Sequence, residues 1–207
     1  EQRMTFECPA LKFAHAALEP YLNEESVRFH YEKHTKGYFK KTNELIKGTD
    51  FANTKSLDDL LTKDSLMKVD SKLFNQAAQA WNHVLWWENL APKLDCGEPS
   101  EQLMKLIEDK WTNFKTFKAT FEESAMNQFA SGWCWLVWKN SGLSIITTPN
   151  AGTPLTTDAI PLLVVDLWEH AWYFSYPADK EKYLKQIWHI INWSVINERF
   201  RDATSNK

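Results

Sequence analysis

A chain of 207 residues is long enough for one large domain or two small ones around true cores. With 43% hydrophobic and 25% charged residues the composition is globular, and a formal charge of -3 supplies no global pull toward nucleic acid. No apolar run approaches the roughly 18 to 20 residues that a bilayer span needs, which argues against a membrane protein; the longest, 160–168, is interrupted by Asp166.

Three cysteines, Cys8, Cys96 and Cys134, stand far apart without CxxC pairing, so neither a disulfide framework nor a zinc ribbon is expected. Cys134, between two tryptophans, reads as a small buried hydrophobe. The expectation is a soluble intracellular protein: cytoplasmic, or in a mitochondrial or plastid matrix if a transit peptide has been removed ahead of Glu1. The aromatic content stands out: 11 Trp, 12 Phe and 6 Tyr. Such an excess fits a stiff core and interface, or a dry shell around a redox centre.

In chain order, Asn23 is an N-cap candidate and Gly48 a stop, with a proline-free helix of about 24 residues between them. Val27, His30, Tyr31, His34, Tyr38, Lys41 and Leu45 recur along one side of it, and Gly37 inside it suggests a close packing approach. A short helix over Ser56–Leu66 leads to a second long one over Ser71–Leu90, whose apolar stripe includes Phe74, Ala77, Ala78, Trp81, Val84 and Leu85. Two such helices form an antiparallel hairpin. The stretch 91–100, with two prolines and a glycine, reads as a linker between an N-terminal α-hairpin domain (1–92) and a C-terminal domain (93–207).

Residues 101–129 are expected to be helical, with breaks at Asn113 and at Glu122–Glu123. Gly132–Lys139 alternates like a strand, Asn140–Gly142 is a turn, and Leu143–Thr148 and Leu162–Asp166 are two more strands. A single amphipathic helix is expected from Asp179 to about Arg201, its inner face carrying Tyr183, Ile187, Trp188, Ile191 and Val195. The fold class is α+β: a helical hairpin followed by a three-stranded antiparallel sheet flanked by helices.

Of six histidines, His15 and His189 have nothing beside them to suggest a site. His30 and His34, four apart on one helix face, can bind one metal or merely coincide. Gln79 lies one turn before His83 on an Ala- and Trp-rich face, where a large amide needs a polar partner. Asp166 ends a buried strand and needs a cation or strong donors, unless it is only a helix cap; His170 follows within a turn. Three imidazoles and one carboxylate suit iron, manganese or zinc. Four ligands with one open position favour a redox ion, whereas three would suit a hydrolase or an oxygenase.

The blocks LEP (18–20), FHYEKH (29–34), NQAAQAWNH (75–83), ASGWCWLVWKN (130–140), NAGTPLTT (150–157) and DLWEHAWY (166–173) resemble the iron/manganese superoxide dismutase family from Leu11 to about Arg199. The resemblance implies His30, His83, Asp166 and His170 as ligands, with solvent in a fifth position, and His34 and Tyr38 at the substrate gateway. It implies superoxide as substrate, converted to dioxygen and hydrogen peroxide. In the iron-type pattern the glutamine that bonds this solvent comes from the second helix, as Gln79 does, paired with Ala151; iron is therefore expected, with manganese or mixed use as the alternative. Trp87, Trp133, Trp135 and Trp168 are expected around the ligands. A twofold homodimer is implied, with Glu169 reaching the partner's His170 and Tyr173 meeting the partner's His34. Lys33, Lys36, Lys40 and Lys41 lie near the gateway and could focus an anion, or simply form a solvated face. Thr35, Trp86 and Trp172 depart from the family pattern and are expected to touch no ligand. A homologue that has lost catalysis would lack Tyr38, Gln79 or a ligand, and none is lacking here.

Overall fold

The computed structural model describes residues 6–62 and 66–205. Asn23 starts the first long helix as read from the sequence, its side chain accepting from the Ser26 N–H at 2.8 Å. That helix has three parts: α1 (Glu24–Phe29), a π turn (His30–Thr35) and α2 (Lys36–Ile46). The wide turn is held by the Thr35 hydroxyl, which donates to the His30 carbonyl five residues back at 3.0 Å. Single π turns inside α-helices are frequent at functional sites. Gly48, at φ +75°, lies beyond the end of the helix. Gly37 does not serve a close approach: a Cβ there would meet nothing within 4 Å.

The short helix is α3 (Leu57–Leu61), capped by Ser56; the end of the expected segment meets 63–65, outside the described residues. After α4 (Leu66–Val69), α5 (Ser71–Glu88) packs along α2 as the other arm of the hairpin. The next helical stretch breaks once, at Thr112 and Asn113, into α6 (Glu101–Trp111) and α7 (Phe114–Asn127). No break occurs at Glu122–Glu123, because glutamates are good helix formers and two in succession do not interrupt a buried apolar face.

The sheet runs in the order β2–β1–β3, all antiparallel, with β1 (Gly132–Lys139), β2 (Gly142–Pro149) and β3 (Ile160–Asp166). Asn140 and Ser141, at φ +52° and +60°, form the two-residue hairpin loop, whose twist matches that of the strands it joins. In the β1–β3 register Trp133 stands opposite Asp166. Beyond β3 comes α8 (Glu169–Trp172).

The expected single C-terminal helix is instead two: α9 (Lys180–Gln186) passes into a 3-10 turn (Ile187–Ile190), and α10 (Trp193–Ser205) begins afresh. Between them the chain pairs with the linker: Ala91 N–H bonds Ile190 O at 2.9 Å, Asn192 N–H bonds Asn89 O at 2.8 Å, and Trp193 N–H bonds Cys96 O at 2.8 Å. Those backbone groups are committed to a distant segment and are lost to a continuous helix. The inner face shifts accordingly, with Ile196 rather than Val195 buried.

Asn89 joins the two halves. Fully buried at the end of α5, it accepts from Val164 N–H at 2.8 Å and donates to Val164 O at 3.2 Å and Trp86 O at 3.0 Å. Asn89→Ala leaves buried strand groups unpaired. At about 1 to 3 kcal/mol for each stranded group, it should cost about 3 kcal/mol in urea denaturation. An unchanged midpoint would show that β3 does not depend on this clamp.

Candidate metal centre

Four side chains from three elements meet in the interior: His30 from the π turn, His83 from α5, Asp166 from the end of β3 and His170 from α8. One donor atom from each lies within 4.8 Å of all the others. Asp166 Oδ2 is the focus: the Nε2 atoms of His30, His83 and His170 lie 3.0, 3.4 and 3.5 Å from it. His83 Nε2 is also 3.0 Å from His30 Nε2. Yet Asp166 Oδ2 and His170 Nε2 have no hydrogen-bond partner, although both are buried. Four donor atoms converging on one small volume are what a cation would need. An orphaned buried carboxylate oxygen is otherwise costly.

The backbone and the outer groups hold these atoms in place. Asp166 Oδ1 accepts from Trp168 N–H at 2.9 Å, so the residue also caps the turn into α8. Its main-chain carbonyl accepts from the buried Tyr183 hydroxyl at 2.8 Å. His83 Nδ1 lies 2.7 Å from Gln79 O, the one-turn carbonyl. Since a carbonyl only accepts, Nδ1 carries the proton and Nε2 presents a lone pair to the centre.

The ionisation states agree with this geometry. Burial pushes His30 down to about 4, only partly offset by Asp166, and burial takes His83 well below the usual imidazole range. Burial alone would raise the Asp166 carboxyl, but the imidazoles of His170 and His30 outweigh it and hold it well below the usual carboxylate range. At neutral pH the cluster therefore offers neutral imidazoles at His30 and His83 together with one anion, a donor set suited to a divalent or trivalent iron or manganese ion.

Gln79 is buried, its Oε1 accepting from Trp133 Nε1 at 3.1 Å and its Nε2 donating to the Tyr38 hydroxyl at 3.4 Å. Tyr38 lies over His83 at 5.0 Å between ring centroids, and its phenol is pushed up to about 12 by burial and by Asp166. His34 is outside the cluster: its ring stacks on His170 at 4.2 Å, and burial, reinforced by His170, pushes it down to about 4. Trp87 is 4.8 Å from the His30 ring, Trp133 is 4.9 Å from the His83 ring, and Trp168 stacks on His170 at 5.6 Å. Trp135 sits one layer further out, 6.2 Å from Trp133. Ala151 is buried, and its carbonyl accepts from Asn82 at 3.4 Å. Glu169 and Tyr173 are exposed.

Thr35 does touch a ligand residue, contrary to the expectation from sequence. Besides bonding the His30 carbonyl, its hydroxyl accepts from Trp87 Nε1 at 2.9 Å, so it ties the π turn to the tryptophan beside His30. Trp86 is fully buried with Nε1 unpaired, and Trp172 is buried with Nε1 donating to Leu167 O at 3.3 Å. Sequence reasoning missed Tyr183 and Asn82 as groups positioning this region. Cys134 is buried, and burial raises its thiol far above the ordinary range, as fits an inert core residue. Lys36 and Lys41 pair with Glu32 and Glu44, and the Lys33 ammonium lies over the Phe29 ring at 5.8 Å.

A helical hairpin and a three-stranded sheet close three histidines and an aspartate around one point, a set that could hold a single metal ion. Residues 5–91 match the description "Iron/manganese superoxide dismutases, alpha-hairpin domain" and residues 99–199 the C-terminal domain of the same family. The chain is 44% identical over 194 residues to "Superoxide dismutase [Fe]" of Escherichia coli (strain K12), covering 93% of this chain and 97% of that protein. It is likewise 44% identical to the protein of that name from Salmonella typhimurium. The one from Pseudoalteromonas translucida is 43% identical, with 94% and 99% covered. The chain belongs to the iron/manganese superoxide dismutase family.

Proposed function

We propose that this chain is an iron superoxide dismutase in which His30, His83, Asp166 and His170 hold one iron ion. The observation that carries the reading is the convergence of three imidazole Nε2 atoms on an Asp166 oxygen that makes no hydrogen bond. Iron is preferred over manganese because the amide facing the centre, Gln79, comes from α5 and is held there by Trp133 and Tyr38; the relatives' printed names agree. A bound iron would supply the redox chemistry: one superoxide would be oxidised to dioxygen, and a second, taking up that electron and two protons, reduced to hydrogen peroxide.

The chain's own residues then have separable tasks. The half-exposed His34 and Tyr38 line the gateway. Neutral imidazoles at His30 and His83 leave Asp166 as the one anionic donor among them, ready to hold a cation. Tyr38 keeps its proton at neutral pH. Because Gln79 Nε2 already donates to its oxygen, its O–H is free to donate toward an arriving oxygen. Tyr38→Phe should lower the dismutation rate severalfold and alter its dependence on pH, measured by pulse radiolysis. An unchanged rate and profile would remove Tyr38 from proton delivery.

We place the domain division at 92/93 and the protein in a reducing compartment, where its three free cysteines would persist. Among the described residues no helix is long and apolar enough to cross a membrane. We also propose a twofold homodimer formed by the exposed face of Phe29, Glu169, Tyr173 and Phe174. Its exposed aromatics, at 36% for Phe29 and 48% for Tyr173 and Phe174, lie beside His34 and His170. The experiment for the activity is direct: metal-stripped protein reloaded with iron or with manganese is assayed for superoxide dismutation. High activity with iron supports the proposal; activity with manganese alone, or with neither, refutes it.

A further inference from the structure

Eleven tryptophans are a heavy complement, and three of them form a line leading away from the centre. The Trp133 ring stands 4.9 Å from the His83 ring, Trp135 stands 6.2 Å from Trp133, and Trp81 stands 6.4 Å from Trp135. Trp133 and Trp135 are fully buried. Trp81 reaches a surface groove that also carries Leu85 and Glu88, and its Nε1 donates to Asp58 at 3.0 Å. Asp58 is exposed. Indole is among the most easily oxidised side chains, and several short electron transfers between neighbouring rings outrun one long transfer through the same distance.

We propose that Trp133, Trp135 and Trp81 form a relay that carries one-electron oxidising equivalents from the metal centre to the surface. The proposal rests on the metal-site reading above. The oxidant is hydrogen peroxide, the product of the proposed activity. Reducing one peroxide to two waters consumes two electrons, which travel inward one at a time, and two protons from solvent. For each electron, Trp133 is oxidised and is refilled from Trp135, which is refilled from Trp81. Oxidised Trp81 releases its Nε1 proton to Asp58, which passes it to water. A small donor of the enediol or phenol class returns one electron and one proton to Trp81. The net change is one peroxide and two donor hydrogen atoms converted to two waters and two donor radicals. His83 and Gln79 are thereby spared an oxidant made beside them.

Other aromatic contacts also leave the cluster, two of them through oxidisable rings with their own hydrogen-bond acceptors. Trp87 leads to Tyr31 at 6.1 Å, but the Tyr31 hydroxyl donates to Pro9 O at 2.7 Å. Trp168 on His170 donates to Asn150 O at 3.2 Å. A carbonyl does not take up the proton that an oxidised ring must release, and a carboxylate does. The route through Trp81 ends on a carboxylate.

The test treats iron-loaded protein with hydrogen peroxide, traps radicals by rapid freezing for electron paramagnetic resonance, and maps oxidised residues by mass spectrometry. An indole radical and oxidation concentrated at Trp81 are expected, with neither in zinc-loaded protein. Trp135→Phe should lower Trp81 oxidation at least severalfold and raise it at Trp133 and His83. Asp58→Asn, a surface change that keeps the proposal testable if Trp135→Phe does not fold, should also lower the yield at Trp81 severalfold. Equal Trp81 oxidation in these variants, or oxidation concentrated at Trp87, Tyr31 or Trp168, overturns the relay. Iron content and dismutation measured on the same samples separate that result from a failure of the metal-site reading.

Discussion

Asp166→Asn is expected to empty the metal centre while leaving the fold in place. The variant keeps Oδ1 for the Trp168 N–H and leaves untouched the carbonyl that Tyr183 bonds. It replaces Oδ2, on which three imidazole nitrogens converge between 3.0 and 3.5 Å, with an amide nitrogen that carries protons and no negative charge. Loss of a group one layer behind a metal ligand costs about 10- to 100-fold in affinity. Loss of the anionic donor itself should cost more than ~100-fold, and dismutation should fall with it. Elemental analysis together with circular dichroism checks both halves of the expectation. A variant with full iron occupancy would mean that the ion is held elsewhere.

Glu169→Ala is expected to damage two sites at once. The Glu169 side chain is exposed and takes no hydrogen bond from the described residues, yet it stands immediately before His170 on an aromatic face. With His170 Nε2 turned to the cluster, the outer Nδ1 needs an acceptor from somewhere, and a twofold partner could provide Glu169 symmetrically. The variant should weaken self-association by about 10-fold or more and metal retention by about 10- to 100-fold. Sedimentation and iron content would report the two effects together. A stable, iron-replete dimer would remove Glu169 from both roles.

The elements near the centre were legible from sequence because they depend on local chemistry. Asn23 caps the first helix as read, the three strands fall where their periodicity puts them, and the α5 stripe holds at Phe74, Ala77, Ala78 and Trp81, whereas Trp86 and Trp87 are buried and Val84 and Leu85 only half-buried. The C-terminal helix was misread because its interruption is tertiary: the groups that break it bond to residues 89–96, about a hundred positions away. Spacing alone left His30 and His34 as rivals, and the difference between them depends on the π turn. His30 Nε2 lies 3.0 Å from Asp166 Oδ2, while the His34 ring stacks on His170. Asp166 was read as either a ligand or a cap, and its two oxygens are divided between those tasks. Thr35 looked neutral because a hydroxyl that bonds five residues back has no signature in a four-residue periodicity. Tyr183 was visible only as one more apolar position on a helix face; that its hydroxyl reaches Asp166 O follows from how α9 docks.

The measurement that bears most directly on the metal centre is X-ray diffraction from crystals of the iron-loaded protein on either side of the iron absorption edge. One anomalous peak per chain is expected, within bonding distance of His30 Nε2, His83 Nε2, His170 Nε2 and Asp166 Oδ2 together. A peak elsewhere, or none in this cluster from protein that dismutates superoxide, would contradict that expectation.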